Sequence, residues 1–147
     1  MTMICRMLVV LAMLSGLAAA ADTADRQLAA TLKGVVETNV RTYNAKDAGG
    51  VLGTVHTKSP EYESTGAAIA EQFRDVPVTA QLTDFRYIGH DDEFAVARMK
   101  IKLAGPPTHE FADNVVDSVA LFHQEGGTWK LWADEVLGVE FVAFTPH

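Results

Sequence analysis

The chain has 147 residues, with 19 acidic and 12 basic side chains, a formal net charge of −7, 48% hydrophobic residues and a single Cys. That is the length of one ordinary domain with enough apolar sequence for its own core. The acidic balance repels phosphate backbones and argues against a nucleic-acid partner, and a lone cysteine excludes a disulfide framework within the chain.

Residues 1–21 read as a secretory signal peptide. Arg6 supplies the positive charge, residues 7–14 are unbroken apolar, Ser15 and Gly16 loosen the segment, and residues 18–21 are all Ala. Cleavage falls after Ala20 or Ala21. The apolar run is shorter than the ~20 residues a spanning helix needs, so no stable membrane anchoring is expected. Cys5 precedes the run and does not sit where a lipid-modified cysteine would. Removing the leader takes away one charged residue, Arg6. That leaves 11 basic against 19 acidic residues, a net of −8, with no cysteine. A secreted, periplasmic protein with a single domain over 22–147 is expected.

Beyond the leader, Asp22 or Thr23 is placed to cap a helix. Leu28, Leu32, Val35, Val36, Val40 and Tyr43 follow at three- and four-residue spacing, one stripe of an amphipathic helix. The run Asn44-Ala45-Lys46-Asp47 breaks it. Asp47 caps a short second helix to about Val55, made intrinsically weak by Gly49, Gly50 and Gly53. Residues 56–60 read as a loop, Thr65 as the cap of a third helix, and Pro77 as its stop.

From Val78 the period changes to two. Strands are expected at about 78–89, 93–104, 111–124 and 128–141, with turns at 89–92, at 105–108 and at Gly126-Gly127. Short connections between successive strands make an antiparallel meander, and helices followed by strands make an α+β fold. Ala95, Ala97, Met99, Ile101 and Leu103 share the face expected to meet the helices. On the last strand, alternation puts Trp129, Leu131, Ala133, Leu137, Val139 and Phe141 on one face, with Glu135 interrupting it. Trp132 has the opposite parity, so one tryptophan is expected on the outer face, where a Trp beside Phe94 and Val96 would mark a subunit contact.

This order resembles the nuclear transport factor two-like superfamily, in its SnoaL-like branch. The residues that carry the resemblance are Tyr43-Asn44-Ala45-Lys46-Asp47, the loop 56–60, Thr65-Gly66-Ala67-Ala68-Ile69 with Phe73, and Gly126-Gly127-Thr128-Trp129-Lys130-Leu131. It spans roughly Leu28 to Phe141. It implies three helices packed on a strongly curved four-stranded antiparallel sheet, a cone-shaped, cystatin-like roll with a pocket at its open end, in a chain that forms a homodimer. Such folds serve isomerases, dehydratases, cyclases, non-catalytic binding domains and assembly modules, so the resemblance leaves function open. Ketosteroid-isomerase-like members carry their base on an extra hairpin between the second and third helices. Only residues 56–64 fill that interval here, and Asn39 falls near where those enzymes place a tyrosine, so steroid-isomerase chemistry is not carried over.

The five histidines, His56, His90, His109, His123 and His147, are scattered and show no ligand spacing, so no metal is expected. No phosphate loop or nucleophile elbow is present, and no cofactor is expected. Five residues remain as candidate ligand contacts: Tyr43, His56, Asn114, Asp117 and Glu135. Glu135 is either buried with a raised pKa or re-aimed to solvent by a bulge near Asp134-Glu135; the bulge is preferred. Asp117 and Asn114, on the third strand, either orient a ligand or, for Asp117, pair with Arg98, Lys100 or Lys102 across the sheet. His56 is either a general base or a loop residue bonded to backbone. Tyr43 is either a core residue whose hydroxyl reaches the pocket rim or a donor into the pocket. The leading expectation is a pocket that binds a small, partly apolar molecule without catalysis. The alternatives are a cofactor-independent isomerase, dehydratase or cyclase, and a dimeric interaction module with no ligand.

Overall fold

The computed structural model describes residues 2–75, 77–108 and 110–142, with side chains from residue 20 onward. Three helices, α1 (Thr2–Asn44), α2 (Ala48–Gly53) and α3 (Tyr62–Asp75), precede four strands, β1 (Thr79–His90), β2 (Phe94–Ala104), β3 (Asn114–Glu125) and β4 (Thr128–Phe141). The strands form one antiparallel sheet in the order β1-β2-β3-β4. This is the expected α+β architecture. The segment read as a leader lies almost wholly outside the described side chains. Among the described residues no helix is long and apolar enough to cross a membrane.

Helix boundaries follow local chemistry, with two departures from expectation. α1 runs through residues 22 and 23 without a break, so no cap forms there; Asp22 pairs instead with Arg26, one turn on. At its other end Lys46 takes φ = 57°. The Lys46 N–H donates to Tyr43 O at 3.0 Å and the Asp47 N–H to Thr42 O at 3.0 Å, which is a Schellman stop. Asp47 then caps α2, accepting from the Gly50 N–H at 2.9 Å. A Cβ on Gly50 would lie 2.4 Å from Asp47 Oδ2 and 2.6 Å from Thr42 Cγ2, so the tight junction needs a glycine. The second departure is α3, which starts at Tyr62, ahead of Thr65. Ser59 Oγ accepts from the Glu61 N–H at 3.0 Å, and Pro60 follows Ser59, so the turn that opens α3 is set by Ser-Pro-Glu.

The core lies between α1 and the inner sheet face. Leu32, Val36 and Val40 pack on Ala95, Ala97 and Met99 of β2 and on Ala120 and Phe122 of β3. Three alanines with no exposed surface let the helix approach the sheet closely. The β3–β4 hairpin turns on Gly126 (φ 58°) and Gly127 (φ 81°), the two-residue turn that positive φ permits.

Both edge strands carry bulges. In β1 the register skips Thr83 and Ile88, and in β4 it skips Trp132 and Leu137. Each extra residue bends and twists its strand, which rolls the sheet around the helices. The bulges also reverse the expected parity of β4. Residues directly opposite in an antiparallel pair point to the same side. Phe122 faces the core and pairs with Leu131, whereas the equally inward Ala120 pairs with Asp134. Asp134 therefore faces inward. Glu135, opposite Val119, faces outward with Lys130, as the preferred bulge near Asp134-Glu135 predicts, whereas unbroken alternation would have put it inside. β3 also starts at Asn114, later than 111, because the preceding turn is tied otherwise: Asp113 Oδ1 accepts from the Gly105 N–H at 3.0 Å.

Candidate ligand-binding site

A cavity of ≈ 200 Å3 opens inside the cone, between the inner sheet face and the helices. Its floor is apolar: Val51 and Val55 from α2 and its exit, Ile69 from α3, Met99 and Ile101 from β2, and Leu131 from β4. Its polar groups come from Asn39 and Tyr43 on α1, Glu61 and Thr65 at the start of α3, and Asp134 on β4.

The polar groups are held by local bonds. Asn39 Nδ2 donates to Thr54 Oγ1 at 2.7 Å, and the Thr54 hydroxyl donates to Val51 O at 2.7 Å. The Tyr43 hydroxyl donates to Gln72 Oε1 at 3.3 Å, its ring sits edge-on to Phe73, and burial pushes its pKa up. Glu61 Oε2 accepts from the Asp134 N–H at 3.3 Å. Asp134 keeps much of its surface exposed at the mouth, but its carboxyl is crowded. Burial first, and the neighbouring Glu135 charge second, raise its pKa above the ordinary Asp value.

Of the five residues singled out from the sequence, Tyr43 lines this cavity. His56 is buried beside it at the free edge of β4, where the chain leaving α2 pairs with Leu131. The His56 N–H donates to Leu131 O at 2.8 Å and the Leu131 N–H to Thr54 O at 2.9 Å. His56 Nδ1 accepts from the Lys58 N–H at 3.0 Å, and Nε2 lies 3.3 Å from Gln124 O. An N–H donor facing Nδ1 and a carbonyl facing Nε2 match the tautomer with its proton on Nε2, and Glu125 Oε1 lies 3.5 Å from Nδ1. The ring also packs edge-on to His123 and Trp132 at 4.9 Å each.

Asn114 is buried on the inner face but outside the cavity lining. Its Nδ2 donates to Ala112 O, and its Oδ1 has no hydrogen-bond partner. Asp117 lies on the outer face in a two-pronged pair with Arg98, whose Nε and Nη2 donate at 2.8 and 2.6 Å. Those bonds hold the Asp117 carboxyl below its usual range. Glu135 points outward. Trp132, the bulged residue, has its ring 6.0 Å from Phe94 of the outer face and also borders the cavity. Among the described residues no three His, Cys, Asp or Glu side chains converge as a metal site; His109 and His147 lie outside the described residues.

Asp134 carries no signal of its own in the sequence: a bulge is expected near Asp134-Glu135, but its place at Trp132, which turns Asp134 inward, follows only from the register of β4 on β3. Glu61, within the short interval 56–64, matches no catalytic motif. The signal for Glu61 was Ser59-Pro60, a helix-opening pair that aims the third residue back toward the cone.

A curved sheet rolled on three helices with a cavity in its mouth defines the nuclear transport factor two-like fold class. Solved structures agree on the fold. A protein with a cystatin-like fold from Nostoc punctiforme superposes with a TM-score of 0.60 at 8% identity, over 72% of this chain and 86% of its own. A nuclear transport factor two-like protein from Pseudomonas putida gives 0.63 at 11% identity, over 76% and 86%. A ketosteroid isomerase-like protein from Erwinia carotovora atroseptica gives 0.57 at 11% identity, over 75% and 96%. Within that class, the chain belongs to the family of the anti-sigma-I factor RsgI9 C-terminal domain, whose profile matches residues 34–142. No curated protein matches by sequence.

Proposed function

We propose that the protein is exported, loses its leader of about 21 residues, and binds a small, partly apolar molecule in the cone cavity without transforming it. The observation that carries this reading is the cavity itself, apolar at its floor and polar at its mouth. The nearest imidazole, His56, faces the Lys58 N–H and Glu125 through Nδ1 and Gln124 O through Nε2 and does not line the cavity, so the mouth carboxyls have no partner base. The family is named for a domain of an anti-sigma factor and not for an enzyme. An apolar hollow on the outer sheet face, formed by Ile88, Phe94, Val96 and Leu121, supports pairing of two copies through that face.

One observation favours the enzymatic alternative. The raised pKa of Asp134, in the same cavity as Tyr43, is what a general acid or base of an isomerase or dehydratase needs. Native mass spectrometry of protein purified from its own exported compartment separates the readings. Binding predicts a chain shortened at Ala20 or Ala21, a dimer, and one retained small molecule that stays unchanged on incubation. Slow conversion of that molecule favours the enzyme, and an empty monomer overturns both.

A further inference from the structure

We propose that the cavity selects an organic cation of about one ring in size, an ammonium or amidinium on a small apolar body, and rejects carboxylates and phosphates. The inference rests on the reading of the cavity as a binding site and adds the chemical class of its occupant.

Size sets the body. An apolar cavity of about 150 Å3 accepts benzene, so ≈ 200 Å3 holds one ring with a short polar head. Shape sets the orientation. Val51, Ile69, Met99 and Ile101 form an apolar floor, and the charged groups lie at the mouth, so the ring enters first and the head stays with Glu61 and Asp134.

Charge sets the head. The lining contains two carboxylates and no Lys, Arg or His. Among the described residues neither Glu61 nor Asp134 is in an ion pair, whereas Asp117 and Glu125 elsewhere on the sheet each have a basic partner. Asn39 donates one of its two amide protons to Thr54 and keeps its carbonyl oxygen as an acceptor. With the two carboxylates, the charged acceptors of the lining have no charged donor opposite them. An ammonium brings three donors and a compensating charge, whereas an anion would meet two like charges in a confined, poorly screened space. The acidic chain as a whole attracts cations and repels anions.

The raised proton affinity of Asp134 fits a carboxyl that lacks a cation. Its titratable neighbours are Glu61 ahead of α3, Tyr43 on α1 and Glu135 on β4, while α3 and β2 add no titratable side chain to the lining. A cationic ligand requires the ionised form, so its affinity falls as pH drops through the titration of Asp134.

The test is a methyl NMR titration of the purified full chain, read at Ile69, Met99 and Ile101, with benzylamine, benzyl alcohol and benzoate as probes. The expected result is benzylamine binding roughly tenfold to a hundredfold tighter than benzyl alcohol, the scale of a charge-assisted contact, and no shift with benzoate. In Asp134→Asn, and to a lesser degree in Glu61→Gln, the advantage of the amine over the alcohol shrinks to a few-fold or less. Equal affinity for amine and alcohol, preference for benzoate, or an advantage that survives both substitutions overturns the charge selection and leaves the cavity reading standing. If none of the three probes shifts these methyls, the cavity reading falls with it.

Discussion

The Asp134 N–H donates to Glu61 Oε2 at 3.3 Å, which ties the inner face of β4 to the turn that opens α3 and sets two carboxyls at one cavity mouth. For Asp134 the folded-state pKa is raised, so the folded chain holds that proton more tightly than the unfolded one. Its stabilising contribution is complete below the ordinary Asp range and is lost as pH rises through the raised value. At neutral pH the ionised carboxyl therefore opposes folding. Asp134→Asn should raise the thermal midpoint at pH 7 by no more than about 2 °C, because an exposed mouth screens the charge, and should do nothing at pH 3. A lower midpoint at pH 7 would show that burial does not strain this group.

His56 gives a prediction with a spectroscopic readout. The Lys58 N–H faces Nδ1, and Nε2 points to Gln124 O, so long-range 1H–15N spectra should place the ring proton on Nε2. His56→Ala empties a buried ring site and leaves the Lys58 N–H and Gln124 O, both on exposed residues, to water, at a total cost of about 1–3 kcal/mol. A ring found protonated at Nδ1 would contradict this arrangement and return His56 to the pool of available bases.

The elements whose chemistry is local were legible in the sequence. The stripe from Leu28 to Tyr43, the Asp47 cap, the inward face Ala95-Ala97-Met99-Ile101 and the Gly126-Gly127 turn each depend on neighbours a few residues away, and all appear in the structure. The site was less legible because it depends on one inserted residue. The bulge at Trp132 is fixed by how β4 registers against β3, a long-range property, and it moves the inward carboxyl from Glu135 to Asp134. Asp117 had a readable partner in Arg98, because cross-strand neighbours follow from the hairpin register. The His56 bonds to Gln124 and Lys58 depend on docking the loop against the β4 edge, which no spacing in the sequence encodes.

Glu125 should act as an acid-sensitive latch. It pairs with Lys130 Nζ at 2.6 Å and accepts from both the Thr57 hydroxyl and the Thr57 N–H, the latter at 3.0 Å. The Lys130 bond first, then those from Thr57, bring its pKa down to about 2. A lowered carboxylate contributes stability in full above its unfolded pKa and loses it as pH falls from there through its folded value. Glu125→Gln should therefore destabilise the protein at pH 7, speed hydrogen exchange at Thr57, and converge with the parent near pH 2. Unchanged exchange at Thr57 would show that the loop is held by His56 alone.

The seam between α1 and the sheet should be intolerant in both directions. Phe122 is fully buried against Leu32 and Val36, so Phe122→Ala removes most of an aromatic ring from a site the backbone cannot refill, at about 3–5 kcal/mol. Ala97 has no exposed surface beneath the same helix, and Ala97→Leu adds three carbons where α1 already touches β2, at about 1–3 kcal/mol. The two costs have opposite signatures. The cavity left by Phe122→Ala should be partly rescued by benzene, as empty apolar space is, whereas Ala97→Leu should show no rescue and should displace α1, read as shifts along Leu32, Val36 and Val40. Rescue of both variants by benzene would mean that α1 does not pack against β2 as closely as the buried alanines require.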